Sequence, residues 1–180
     1  MIRRGDVLNF AILGLLADSP LHGYELRKRV SGILGPFRAI SYGSLYPALK
    51  GLATAGLIEE ASPSPEPALA SRRSRRVYAL TSEGKEHLQD VLASYGPDTW
   101  GDEPFAVRMA LFSLTPSEVR LRILEGRRSL LEGRLLTMQE SVSQSSDRID
   151  RYLLGMQQHG IEGVERELRW LNELIEQERS

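Results

Sequence analysis

Tyr42, Ser44, Tyr46 and Lys50 fall within "YGSLYPALK" and place three hydroxyls and one ammonium among aromatic rings. Such a mixture suits hydrogen bonding to phosphates and contact with bases. Gly43 lets backbone approach a phosphate closely, and Ser41 adds a further hydroxyl just upstream. Further along, "RRSRR" gathers Arg72, Arg73, Arg75 and Arg76 with no acid between Glu66 and Glu83. Clustered arginines repel one another on a bare surface but neutralise a polyanion and release its counterions. A solvated charge run is the ordinary alternative.

Other chemistry finds little support. "SEGK" sets Ser82 and Lys85 at the S-x-x-K spacing of some acyl-transfer enzymes, but Thr81 and Ser82 lie where a helix cap is expected. His22, His87 and His159 are far apart and belong to no metal-ligand motif, and no glycine-rich phosphate loop occurs. With no cysteine, thiolate metal sites and disulfides are excluded, which suits a reducing interior such as a bacterial cytoplasm. No catalytic residue, metal or cofactor is expected.

The elements that must position these residues are mostly helical. In residues 7–17 the spacing of Leu8, Ile12, Leu15 and Leu16 predicts a helix buried on one face. The preceding "MIRR" imitates the start of a signal peptide, but Asp6 and Asn9 interrupt the pattern and no small-x-small cleavage site follows. A second helix is expected from about His22 to Ile33, with Tyr24, Leu26, Val30 and Ile33 available to pack and Arg27, Lys28 and Arg29 outward. The third carries Leu45, Leu49 and Leu52 on its buried face and ends at Gly56, a left-handed cap position.

Pro47 leaves the start of this third helix open. A start at Ser44 puts the proline in the first turn, where its missing N–H has no helical partner to lose; a start nearer Ser41 costs a hydrogen bond. Next, "LIEEAS" and "RRVYALT" read as two strands joined by a Pro, Ser and Ala-rich tip, with Val77 and Ala79 alternating against Arg76, Tyr78 and Leu80. A fourth helix follows "TSEG". Three helices, a two-stranded wing and a trailing helix give the order of a winged helix-turn-helix, whose later helix of the pair enters the major groove.

Charge divides the chain. Residues 1–80 hold 11 basic against 6 acidic residues and the remainder 12 against 18, within a net charge of −1 over 180 residues. The basic half is the one expected to meet a polyanion. No other apolar run approaches the roughly 20 residues that cross a bilayer. "GPDTWGDEP" reads as a linker, so two domains are expected, residues 1–96 and 97–180. In the second, "TPSE" reads as a capping box around Thr115, Pro116 and Glu118 and opens a helix to about Ser143. A last helix carries Leu154, Ile161, Val164, Leu168, Leu171 and Ile175 in a narrow seam that needs a partner, from the same chain or a second copy. Gly155, Gly160 and Gly163 mark a place for a kink.

"LNFAILGLLADSPLHGYELRKRV", "YGSLYPALKGLATAGLIEE" and "RRVYALTSEGKEHL" together resemble the DNA-binding domain of PadR-type transcriptional regulators over about the first 90 residues. The second part is similar to the longer branch of that family, in which a C-terminal helical domain makes the dimer. The resemblance implies a mainly α winged-helix protein with a helical dimerisation domain. It further implies a homodimeric repressor on a near-palindromic double-stranded operator, released in some relatives by a small aromatic or lipophilic effector. The wing, with its "SPSPEPALASRRSRR" insert, is longer than the family's usual pattern. For an effector the residues offer only an apolar group, Trp100, Phe105, Met109 and Phe112, whose plainer role is core or interface. A helical protein-binding adaptor is the rival reading: it accounts for residues 115–180 but leaves the basic hairpin unexplained.

Overall fold

The computed structural model describes residues 4–35, 41–61, 76–145 and 150–180. They divide into two compact units: residues 1–94 with 102–116, and 95–101 with 117–180. The chain therefore passes between units after Ser94, after Gly101 and after Pro116 rather than at a single cut near residue 96.

The first unit is built around α1 (Arg4–Leu16), which is apolar on nearly all sides. Val7, Leu8, Ala11, Ile12, Leu13 and Leu16 are all buried, so the helix lies in the middle of the core rather than along its edge. Around it pack α2 (Gly23–Leu34), α3 (Tyr42–Thr54), α4 (Ser82–Ala93) and α5 (Asp102–Ala110). Leu26, Val30 and Leu34 bury one face of α2, whereas Tyr24, expected to pack, is 52% exposed.

Among the described residues a third, short strand joins the two strands of the wing in one sheet. β1 (Leu21–His22) pairs antiparallel with β3 (Val77–Leu80), which pairs on its other side with β2 (Ile58–Ala61). A two-residue strand has no periodicity to read, and His22 consequently precedes α2 instead of opening it. The inward members of the β3 alternation are Tyr78, which is buried, and Leu80, which packs on the core.

Two devices join α3, β2 and α4. At the end of α3, Leu57 N–H donates to Leu52 O at 3.0 Å and Gly56 N–H to Ala53 O at 3.0 Å. This Schellman closure needs the left-handed backbone that Gly56 supplies with φ 73°. At the start of α4, Thr81 Oγ1 accepts from Gly84 N–H at 3.0 Å and donates to Gly56 O at 2.6 Å. "TSEG" is thus a helix cap that also grips the preceding turn.

The second unit is a helical hairpin of α6 (Ser117–Ser145) and α7 (Arg151–Arg179), with a short 3-10 turn at Pro97–Thr99. The seam of α7 finds its partner in the same chain. Val164, Leu171 and Ile175 are buried, as are Ile123, Leu124 and Leu131 of the antiparallel α6. Ion pairs clasp the two helices at Arg120–Glu178, 2.8 Å, and Arg127–Glu167, 2.7 Å. No break occurs at the glycines: α7 is continuous, and a Cβ at Gly160 would lie 2.9 Å from Met138 Cε. Helix α6 starts at Ser117, and Thr115, the expected cap, is buried with its hydroxyl donating to Leu111 O at 2.9 Å.

Candidate nucleic-acid interface

Helix α3 starts at Ser41, which is extended with φ −91° and ψ 162° and serves as N-cap residue. Leu45 N–H donates to Ser41 O at 3.1 Å, the first full-turn bond. Of the two starts left open by the sequence, the earlier one holds, and Pro47 lies inside the helix, past the first turn. The bond it forgoes would have gone to the Gly43 carbonyl. An earlier start lengthens the exposed leading turn, in which Tyr42, Gly43 and Ser44 all reach solvent. The Ser41 side chain accepts none of the first N–H groups; Ser44 Oγ instead donates to Ser41 O at 3.0 Å. A helix start carries partial positive charge and outward N–H groups, which favour an anion there.

Leu45 and Leu49 are buried to within 1% and Leu52 to within 3%, so one face of α3 is fixed on the core. The adjoining face carries Tyr42, Tyr46 and Lys50 one helical turn apart, Tyr42 and Lys50 exposed and Tyr46 half-buried against the core. The two tyrosine rings stack at 5.8 Å between centroids and 17° between planes, and the Arg27 guanidinium lies 4.3 Å from the Tyr42 centroid. Arg27 is a contributor that sequence reasoning missed. It sits in a run of three cations on α2 that reads as a solvated face, and only the packing of α2 beside α3 shows its partner.

Across from α3, at the root of the wing, Arg76 pairs with Glu60 at 3.1 Å. Below them burial pushes the Tyr78 hydroxyl above its usual range and the Glu60 carboxylate adds to that, while Arg76 opposes it. Tyr78 therefore stays a neutral donor at ordinary pH. These elements wall an open groove of about 850 Å³ whose lining includes Tyr24, Tyr42, Tyr46, Lys50, Arg76 and Tyr78. One flank is the outward face of α3, the other the base of the β2–β3 hairpin. Arg72, Arg73 and Arg75 lie outside the described residues.

The PadR-like sequence model for transcriptional regulators matches residues 12–90, the stretch that contains α2, α3, the wing and most of α4. Over these residues the chain is similar to the PadR-like family of transcriptional regulators. The negative transcriptional regulator PadR of Bacillus subtilis is 29% identical over 159 residues, which span 82% of this chain and 85% of that one. A crystal structure of B. subtilis PadR with operator DNA aligns at 24% identity over 96% of this chain and 99% of its own, with TM-score 0.45. Another, with p-coumaric acid, aligns at 23% identity over 97% and 99%, with TM-score 0.43.

The apolar residues singled out for an effector fall in different units. Phe105, 5% exposed, Met109 and Phe112 belong to the first. Trp100 belongs to the second, where its indole fills the notch left by Gly126 of α6 and its carbonyl accepts from Arg127 Nη1 at 2.7 Å. Among the described residues no three His, Asp or Glu side chains gather to hold a metal ion, and no helix is long and apolar enough to cross a membrane.

Proposed function

We propose that this protein is a homodimeric, cytoplasmic repressor that binds a near-palindromic operator and is released by a small aromatic or lipophilic effector. One α3 from each copy reads one half-site, and half-sites one turn apart, about 34 Å, lie on the same face of the duplex. The observation that carries this reading is the Arg27–Tyr42–Tyr46 stack on the outward face of α3, with Lys50 one turn further and Arg76 across the groove. Ser41, Gly43 and Ser44 complete the phosphate-facing start of the helix. Arg72, Arg73 and Arg75 of the wing add charge along the adjacent backbone.

Support comes also from the relative: the B. subtilis protein is a negative transcriptional regulator, and its structures hold operator DNA and p-coumaric acid. For the effector, Trp100, Phe105, Met109 and Phe112 remain the residues to test. The dimer is assigned to the helical hairpin. Since α6 already covers Val164, Leu171 and Ile175, the surface left for a second copy is the outer stripe of α7, where Tyr152, Met156 and Trp170 are exposed at 71%, 66% and 41%. Leu154, Ile161 and Leu168 border the covered seam.

The test is a fluorescence anisotropy titration with duplex DNA taken from upstream of the gene. Binding is expected to be saturable, specific against unrelated DNA, and steeply weakened by salt. Equal affinity for both duplexes would overturn it.

A further inference from the structure

One carboxylate lies where a polyanion is expected. Of the described residues that line the groove between α3 and the wing, Glu60 is the single acid, set among Lys50, Arg76 and the tyrosines. The strand register puts it there: Glu60 stands opposite Tyr78 in the β2–β3 ladder, and alternation turns its neighbour Glu59 to the other face. Glu60 Oε2 accepts from Arg76 Nη1 at 3.1 Å. The main chain of Arg76 is held as well, since its carbonyl accepts from Gly23 N–H at 3.2 Å. The guanidinium is therefore fixed at the edge of the groove by a carboxylate. The fold gains little from this pair, because both side chains are about half exposed, 54% and 48%, and ion pairs in water add little stability.

We infer that Glu60 is a specificity-determining residue, which occupies Arg76 in place of a DNA phosphate and yields it only to duplex seated on α3. The inference rests on the reading of α3 and the wing as the DNA-binding face. Carboxylate and phosphate both match the planar guanidinium fork, so handing Arg76 from one to the other gains little by itself. Duplex of unrelated sequence is held by phosphate contacts alone; it leaves the pair closed and forgoes this contact. Duplex whose bases fit α3 brings a phosphate against Arg76 and opens the pair, so there the new contact outweighs the cost of opening. Abolishing the pair then adds a whole phosphate contact to the unrelated complex, but only the smaller opening cost to the specific one. The carboxylate lowers affinity for all DNA and lowers it most for the wrong sequence, which is the repulsive element that discrimination uses.

The test is Glu60→Gln in the full-length protein, titrated by fluorescence anisotropy with the upstream duplex and with an unrelated duplex at several salt concentrations. For the unrelated duplex, affinity is expected to rise about fivefold at low salt and the logarithmic salt slope to steepen by about 0.9, the value of one phosphate. For the upstream duplex, a rise of about twofold at most is expected, with the slope unchanged. With Arg76→Ala already in place, Glu60→Gln should raise both affinities alike and leave their ratio as it was. The exposed pair is replaced without loss of the fold, which an unchanged urea midpoint verifies. An equal rise for both duplexes in the wild-type background would reduce Glu60 to general repulsion, and a loss of upstream affinity would make it a direct contact; either overturns the assignment. If the wild type prefers the upstream duplex and Glu60→Gln preserves that preference, the DNA reading stands and the role of Glu60 falls. If the wild type binds both duplexes equally, the reading of α3 falls and takes the role of Glu60 with it.

Discussion

Gly84, in the first turn of α4, lies directly against the Leu57 carbonyl oxygen, so that a Cβ at this position would overlap backbone rather than a yielding side chain. The contact lets Thr81 cap α4 and hold Gly56 O at the same time. Gly84→Ala must push α4 away from the α3–β2 turn and should cost about 2–4 kcal/mol, at or above the usual overpacking penalty. Gly32→Ala is the control, since a Cβ there meets nothing within 4 Å in the helix interior. It should be neutral or stabilise by up to about 1 kcal/mol. Urea unfolding of both variants decides the matter, and equal midpoints would show that α4 accommodates the methyl group freely.

Much of this arrangement was legible in the sequence because the signals were local. Gly56 announced its left-handed cap, "TSEG" its N-cap, and Leu45, Leu49 and Leu52 the buried face of α3. Signals that depend on what lies across space were not legible. Nothing in "SPLHGY" marks Leu21 and His22 as a strand, because only β3 gives them partners. The alternation around Tyr78 shows two faces but not which is inward, until its buried position opposite Glu60 is seen. The start of α3 stayed open for a different reason. A cap at Ser44 minimises the local cost of Pro47, but packing of α3 on α1 and β2 tolerates one missing hydrogen bond. Likewise the α7 seam showed that a partner was needed without showing that α6 supplies it.

Lys50→Ala and Tyr46→Ala should each weaken binding to the upstream duplex about tenfold. Arg27→Ala should do so more mildly, by removing a cation–π interaction of the order of 0.5–1 kcal/mol at an exposed site. Alanine at Arg72, Arg73, Arg75 and Arg76 together should flatten the salt dependence, with the logarithmic slope falling by roughly 0.9 for each phosphate no longer neutralised. Anisotropy titrations at several salt concentrations measure both effects. An unchanged slope would keep the wing tip off the DNA, and full affinity in the α3 variants would remove this helix from the interface.

Arg108 is a buried cation, 4% exposed, whose guanidinium donates to Leu92 O at 3.4 Å and Ser94 Oγ at 3.0 Å and rests 4.7 Å from the Phe10 ring. It has no carboxylate partner among the described residues. Burial pushes its pKa down to about 10, below that of a solvated guanidinium. Above about 10 the unfolded chain binds more protons than the folded one, so this group's contribution to stability rises with pH; below about 10 the buried charge is carried at full cost. Replacing it with Met isolates that contribution. From pH 9 to pH 11 the difference in unfolding free energy between wild type and Arg108→Met should move in favour of the wild type by about 1 kcal/mol. Urea titrations at the two pH values measure it, other titrating groups being common to both proteins. A constant difference would mean that water reaches the guanidinium in the folded state.

The helical hairpin separates the residues that hold one chain together from those available to a second. On α7, Leu171 and Ile175 are completely buried, while Tyr152, Met156 and Trp170 recur at spacings of 4 and 14 residues on a different face and remain exposed. Removing residues 150–180 would strip the cover from Ile123, Leu124 and Leu131, so loss of the dimer in that deletion would be inseparable from unfolding of α6. Point substitutions separate the two. Tyr152→Asp with Met156→Asp should yield folded monomers by light scattering, because two carboxylates would be trapped in an apolar contact without partners. Ile175→Ala should instead cost about 2–5 kcal/mol of stability while leaving the dimer intact at temperatures where the chain is folded. Persistence of the dimer in the double aspartate variant would move the interface off the outer stripe of α7.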